Sequence, residues 1–297
     1  MRVATRGSAL ALAQARAVAA ALPGDSELVE ITTAGDRGAQ PGSDKSRWVA
    51  ELERALLDGE ADVAVHSAKD VPGTLPDGLE IVAVPARADA RDALCGASSL
   101  DALPAGARVG TRSLRRRALL LAARPDVEVI ELGGNVDTRL RKLGEGAADA
   151  LVLARAGLER LARTGEAGAV LDPESFVPAP GQGALALEAR AADGEARAAL
   201  GGLHDPAAGA CLVAERALAA GLGGSCHTPI GGHAEIGPDG GLRLRAFVGL
   251  PDGSAWLRDV VEGAFGEPEA LGHEVAARLL AAGARELLEA AEAAAVS

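Results

Sequence analysis

Tyrosine is absent from this 297-residue chain, and three Phe and two Trp make up its 2% of aromatics. Stacking platforms for bases are therefore improbable, and any core has to be packed from Ala, Leu and Val. Positive charge is also in deficit, since 30 Lys and Arg stand against 42 Asp and Glu, a formal net charge of −12. That sign argues against a nucleic-acid binder and a membrane-surface protein unless the arginines are concentrated in one place. No apolar run is long enough to span a bilayer. The Ala-rich stretch after Ser8 is interrupted by Gln14 and Arg16 at helical spacing, and Arg2 alone precedes it, so it reads as a helix rather than a secretion signal. A cytoplasmic location is expected, and the acidic composition fits a monomer. Cys95, Cys211 and Cys226 are odd in number and lack metal-like spacing, which speaks against a disulfide framework and a zinc site. His66, His204, His227 and His233 form no HxxE or HxxxH set, and no metal is expected. Walker, G-x-S-x-G and G-x-G-x-x-G patterns are missing too.

What is present is a 48% hydrophobic chain, enough for two or three domains. Strand-like runs over 2–5, 28–32, 62–67 and 79–85 alternate with helical patterns over 8–22 and 48–59, implying a mostly parallel sheet covered on both faces. The Gly- and charge-rich segment 34–47 reads as a mobile loop. A second set of the same kind starts near Asp92, with strands near 93–96, 108–111, 127–132 and 149–153 and helices over 113–123, after Asn135 and around 158–161. Pro178-Ala179-Pro180-Gly181-Gln182-Gly183 is stiff and then flexible, a candidate hinge, and the strand over 184–189 returns to the first sheet. The expected fold is α/β: two lobes like those of periplasmic binding proteins, joined by a hinge, and a small α+β C-terminal domain. The divisions are 1–88 with 184–201, then 89–183, then 202–297.

In the stretch DVAVHSAKDVP, Val63 and Val65 alternate as in a short strand and Pro72 forbids its continuation. Lys69 and Asp70 therefore sit where strand gives way to loop, either as a solvated pair or as chemistry at a sheet edge. Arg6 and Ser8 lie at a helix N-terminus, a natural anion site. Arg112, Arg115, Arg116 and Arg117 open one helix, and Arg139 and Arg141 another. Cations oppose the helix dipole there, so the arginines are either a solvated face or a site that binds carboxylates or phosphates bidentately. Cys226, in a Gly/Ser loop, is a nucleophile, an attachment point or an inert thiol, whereas Cys95 and Cys211 read as core residues.

Taken in order, ATRGSALALAQ, DVAVHSAKDVP, GTRSLRRR, GGNVDTRL, LARAGLERL, PAPGQGALALE and GGSCHTPIG resemble the porphobilinogen deaminase (hydroxymethylbilane synthase) family along almost the whole chain. The resemblance implies an enzyme condensing porphobilinogen head to tail, with loss of ammonia, into hydroxymethylbilane. It further implies a dipyrromethane cofactor held by a thioether at Cys226 and a catalytic carboxylate at Asp70. Lys69, Asp70, Thr111, Ser113, Arg115, Arg116, Arg139 and Gln182 match cofactor-holding positions, and Arg6, Ser8, Arg139 and Arg160 match positions that hold the substrate's acetate and propionate arms.

Three departures stand out. Gly133 occupies a place where the family usually has Arg, GSDKSRW replaces a longer basic loop, leaving Lys45 and Arg47 with Pro41 nearby, and Arg112 replaces a small residue. Either Arg112 supplies the missing guanidinium and joins the substrate-binding set, or the protein assembles a shorter or different oligopyrrole. A non-enzymatic anion-binding protein on the same two-lobed fold is the remaining alternative.

Overall fold

Alternating Val, Leu and Ala residues form the strands of two sheets in this computed structural model, which describes residues 1–36, 48–224 and 228–296. The first part of the chain runs β1 (Arg2–Arg6), α1 (Ala9–Ala21), β2 (Glu27–Ile31), α2 (Ala50–Leu57), β3 (Val63–Ser67) and β4 (Leu79–Ala83). It crosses to β5 (Asp92–Cys95), β6 (Arg108–Gly110), α3 (Leu114–Ala123), β7 (Glu128–Ile130), α4 (Val136–Gly144), β8 (Ala150–Ala154), α5 (Arg155–Arg160) and β9 (Ala167–Val170). It crosses back to β10 (Leu185–Arg190) and α6 (Gly194–Gly201). Last come α7 (Pro206–Gly221), β11 (Ile230–Ile236), β12 (Leu242–Gly249), β13 (Trp256–Gly263), α8 (Pro268–Ala281) and α9 (Ala284–Val296).

The sheet orders are β2-β1-β3-β10-β4 and β7-β6-β8-β5-β9. β1 pairs in parallel with β2 and β3, and β6 with β7 and β8, while β10 and β5 run antiparallel to both their neighbours. Each antiparallel strand is the first one laid down after the chain crosses from the other lobe. The fold is thus α/β with two lobes of one topology, as expected, and the antiparallel β11-β12-β13 sheet with its helices forms a small third part.

Sequence reading missed β9 and α6, and it took residues 69 and 70 for loop, whereas they close a 3-10 turn over Ala68–Asp70 directly after β3. The helix starts follow local capping chemistry. Ser8, Ser113, Asn135 and Asp205 accept hydrogen bonds from the backbone N–H groups of Ala11, Arg116, Thr138 and Ala208.

The third part rests on both lobes. Ala208 and Leu212 of α7 pack with Ala68, Val71, Val84, Ala184 and Ala186, while Phe247 of β12 enters the core of the second lobe beside Val177. Phe247 is fully buried, which contributes about 1.5–3 kcal/mol to that contact. Polar closure comes from Glu215 of α7, which is inaccessible to solvent. It accepts from Arg87 Nη1 (2.6 Å) and Nη2 (3.0 Å), from Gly181 N (2.6 Å) and from Ala234 N (2.7 Å). Both its oxygens are satisfied, which offsets the cost of burying the charge. Arg87 also donates to Gln182 O at 2.8 and 2.9 Å, so both inter-lobe crossings meet at this carboxylate. Gly181 (φ +75°) and Gly183 (φ +86°) have to be glycine here, since a Cβ would come within 2.8 Å of Lys69 N and 2.5 Å of Ala88 O.

Candidate cofactor and substrate cleft

Where the lobes and the third part meet lies a cavity of about 260 Å³. Trp48, Lys69 and Asp70 line it from the first lobe, Ser113, Arg115 and Arg116 from the second, Ala179, Pro180 and Gln182 from the hinge, and Gly224, Thr228 and Ile230 from the third part. The 3-10 turn after β3 places Lys69 and Asp70 there, and the first turn of α3 presents Ser113, Arg115 and Arg116. A larger cavity of about 590 Å³, at the opposite edge of the first sheet, is lined by Asp25, Asp62, Asp193 and Glu195 and would repel an acidic ligand.

Gln182 organises the cleft. Its Nε2 donates to Ala90 O (2.7 Å) and Asp92 Oδ1 (3.0 Å), and its Oε1 accepts from Lys69 Nζ (3.5 Å) and Arg116 Nη2 (3.4 Å). Asp92, buried at the start of β5, accepts from Arg115 Nη1 (2.8 Å) and from Arg116 Nε (3.0 Å) and Nη2 (2.7 Å). Burial alone would raise the Asp92 carboxyl, but the two guanidiniums overrule it and hold it at about 2. Burial lowers Lys69 to about 8, and the neighbouring Arg116 adds to that shift. Asp70 accepts no hydrogen bond from any described residue. Arg115 Nε is buried without an acceptor among them, a donor left over in a cationic cavity.

The other anticipated residues fall into two groups. On the second lobe, buried Thr111 accepts from Ser113 N at 3.2 Å, and Arg139 Nε donates to Gly134 O at 2.7 Å. Burial, with Arg116 and Arg112 close by, lowers Arg139 to about 10. Arg112 is exposed, makes no ion pair with a described residue, and lies over Gly133, where a Cβ would sit 3.4 Å from its Cδ and 3.6 Å from its Nη1. Arg160 Nη2 donates to the hinge carbonyl of Gly183 at 2.7 Å. On the first lobe, Ser8 caps α1, and Arg6 pairs with Asp36 beneath Trp48 rather than standing open. Pro41, Lys45, Arg47 and Cys226 lie outside the described residues, as does most of the expected mobile loop over 34–47. Gly224 and Thr228, two positions before and after Cys226, both line the cavity. Cys95 and Cys211 are buried, as core residues should be.

Sequence reasoning missed Asp92, Trp48 and Asp36. The available signals were an acid opening an otherwise apolar strand and a rare Trp directly after a charged segment.

A family model described as "Porphobilinogen deaminase, dipyromethane cofactor binding domain" matches residues 1–198, and one for the porphobilinogen deaminase C-terminal domain matches residues 210–281. The chain belongs to the porphobilinogen deaminase family. It is 46% identical to the porphobilinogen deaminase of Deinococcus radiodurans over 303 residues, which cover 97% of each chain. It is 47% identical to that of Thermus thermophilus over 293 residues, covering 96% of this chain and 97% of the relative. Among solved structures, a periplasmic substrate-binding protein of an ABC transporter from Coxiella burnetii covers 70% of this chain and 93% of its own, at 15% identity and a TM-score of 0.43.

The cleft's donor set fits the family's dipyrromethane. Lys69, Arg115 with its unmatched Nε, and Arg116 suit an acidic ligand, and the flanks of Cys226 bring the chain to the same wall.

Proposed function

We propose that the protein is a hydroxymethylbilane synthase of tetrapyrrole biosynthesis, joining porphobilinogen units head to tail and releasing one ammonia per unit. One observation carries the reading: Asp70, free of hydrogen bonds from described residues, lines a cavity otherwise walled by Lys69, Arg115 and Arg116 and by both flanks of Cys226. Residues flanking Cys226 and the Lys69, Arg115 and Arg116 cations would hold a dipyrromethane tied to Cys226 by a thioether, and its free pyrrole α-carbon would take the first incoming unit, each later unit adding to the ring before it.

The chain's own residues do the rest. Asp70 stabilises the positive charge that develops at the substrate methylene as the amine leaves, and it orients the pyrrole N–H. Lys69, Arg115, Arg116 and Arg139, with Thr111, Ser113 and Gln182, hold the anchored group. Arg6, Ser8, Arg139, Arg160 and Arg112 receive the carboxylates of the incoming one. Each pyrrole brings a pair of carboxylates, so a growing chain needs many fixed cations, and the planar guanidinium fork meets that need better than an ammonium. A covalent anchor makes every elongation intramolecular. We assign residues 1–88 with 184–201 to the domain bearing Asp70, 89–183 to the Arg-rich domain and 202–297 to the domain bearing Cys226. We also assign the protein to the cytoplasm and take it for a monomer, which the whole chain's acidic net charge of −12 fits.

Intact mass of the denatured protein tests the whole reading. Purified protein should be heavier than its polypeptide by one dipyrromethane, and incubation with porphobilinogen should add a ladder of single pyrroles up to the tetrapyrrole. Cys226→Ser should remain at polypeptide mass, and a free Cys226 thiol in active material would overturn the assignment. A wild-type ladder that stops short would mean a shorter oligopyrrole is the product. Arg112→Ala should abolish turnover with folding intact, and unchanged turnover would remove Arg112 from the substrate-binding set.

A further inference from the structure

Arg6 ends β1 at the sheet edge where β3 delivers Lys69 and Asp70, yet its guanidinium is already engaged. Its Nε donates to Asp36 Oδ2 at 3.2 Å and its Nη2 donates to Asp36 Oδ1, a fork with two points of contact. The guanidinium carbon also lies 4.1 Å from the centre of the Trp48 ring. Asp36 is held from its other side, with Oδ2 accepting from Thr33 N at 3.1 Å and from the Thr33 hydroxyl at 2.8 Å. Burial alone would raise the Asp36 carboxyl, but the hydrogen bonds from Arg6 and Thr33 bring it below the ordinary range, so it stands ionised. The Trp48 ring covers Gly35 so closely that a Cβ there would fall 2.1 Å from it, which fixes the backbone presenting Asp36. Trp48 in turn lines the cavity with Lys69 and Asp70.

The protein thus offers Arg6 a carboxylate of its own, with the same fork geometry that an acetate or propionate arm would use. We propose that Asp36 competes with the substrate's carboxylates for Arg6 and thereby sets the affinity for each incoming porphobilinogen. The proposal rests on the assignment of Arg6 to substrate binding. Exchanging one carboxylate for another on the same guanidinium is nearly balanced, so the competition tunes binding without abolishing it. It also favours release of a unit that fails to react.

Asp36→Asn keeps the side chain's size and an oxygen for Thr33 while removing the charge. We expect KM for porphobilinogen to fall about threefold to fivefold, the range for a partly exposed ion pair, with the change in KM rather than kcat. In an Arg6→Ala background the same substitution should change nothing further. If Asp36 instead only pre-orients Arg6, Asp36→Asn raises KM, and that result overturns the proposal, as does an unchanged KM or an equal shift without Arg6. Affinity is read a second time from Trp48 fluorescence during titration with porphobilinogen, using Trp256→Phe versions of each protein. Wild type that adds no pyrroles sinks the functional reading, and the ratio of the two Kd values still decides the role of Asp36. A wild type that does not bind porphobilinogen at all sinks both.

Discussion

β5 and β10 hold the same place in their sheets, each antiparallel and each arriving from the other lobe, and each carries a buried acid. Asp92 on β5 is matched by Arg115 and Arg116, with every contact between 2.7 and 3.0 Å. Glu188 on β10 accepts from no guanidinium among the described residues. Its Oε2 lies 2.9 Å from His66 Nε2, unaligned for a hydrogen bond, and neither Glu188 oxygen has an aligned partner among the described residues. Glu53 of α2 stands close enough to Glu188 that burial first, and then the Glu188 charge, raise its carboxyl to about 7. One topology therefore serves opposite electrostatics. The second lobe stores cations that an acid orients, and the first buries two acids side by side, Glu53 and Glu188, without a guanidinium partner among the described residues. The same frame thus carries a guanidinium-paired acid in one lobe and an acid without such a partner among the described residues in the other.

The sharpest way to break that division is to remove the group each lobe is built around. Asp70→Asn should lower kcat by about 10²–10⁴-fold, the usual worth of a positioned acid or base, with the thermal midpoint nearly unmoved. An equal loss confined to KM would mean that the first lobe also serves only to bind. Asp92→Asn should leave Arg115 and Arg116 buried beside an uncharged amide and cost about 3–5 kcal/mol, read from the denaturant midpoint. A loss below ~1 kcal/mol would show that the Asp92 pairs are no more than surface-grade ion pairs.

The smallest effect belongs to Glu53. The folded protein binds its proton up to about pH 7, whereas the free side chain gives it up near 4.5. Its contribution to stability is therefore full below pH 4.5 and is lost as pH rises through 7. Glu53→Gln, always neutral, should be more stable than wild type at pH 8 by about 1–3 kcal/mol and show a flatter pH profile between 5 and 8. Equal slopes in the two proteins would mean that burial and the neighbouring Glu188 do not raise Glu53.

Much of this architecture was legible because its signals are local. The Val and Ala alternation before Pro72, the Ser113 and Asn135 caps and the Pro-Gly hinge each act within a few residues. β9 was missed because AGAV has too little side chain to show a period, and α6 because glycines bound its short span and Asp193 was not read as its cap. Within the site, the family motifs brought Lys69, Asp70, Ser113, Arg115, Arg116 and Gln182 to one list, and the structure places them around one cavity. The acids that hold the arginines were harder to see. Asp36 meets Arg6 across 30 positions, and Asp92 meets Arg116 across 24. Partnership at that separation is set by strand order, which no spacing rule encodes. In a chain with 42 acids, composition gives no means of telling which two are partners.

Glu215 gives the three parts a common pivot. Because one carboxylate grips Arg87 on the outward crossing, Gly181 on the return and Ala234 on the third sheet, both crossings and β11 are tied to a single point. Any parting of the lobes would have to turn about that point, so the wall contributed by the third part would keep its place while the opposite mouth widened.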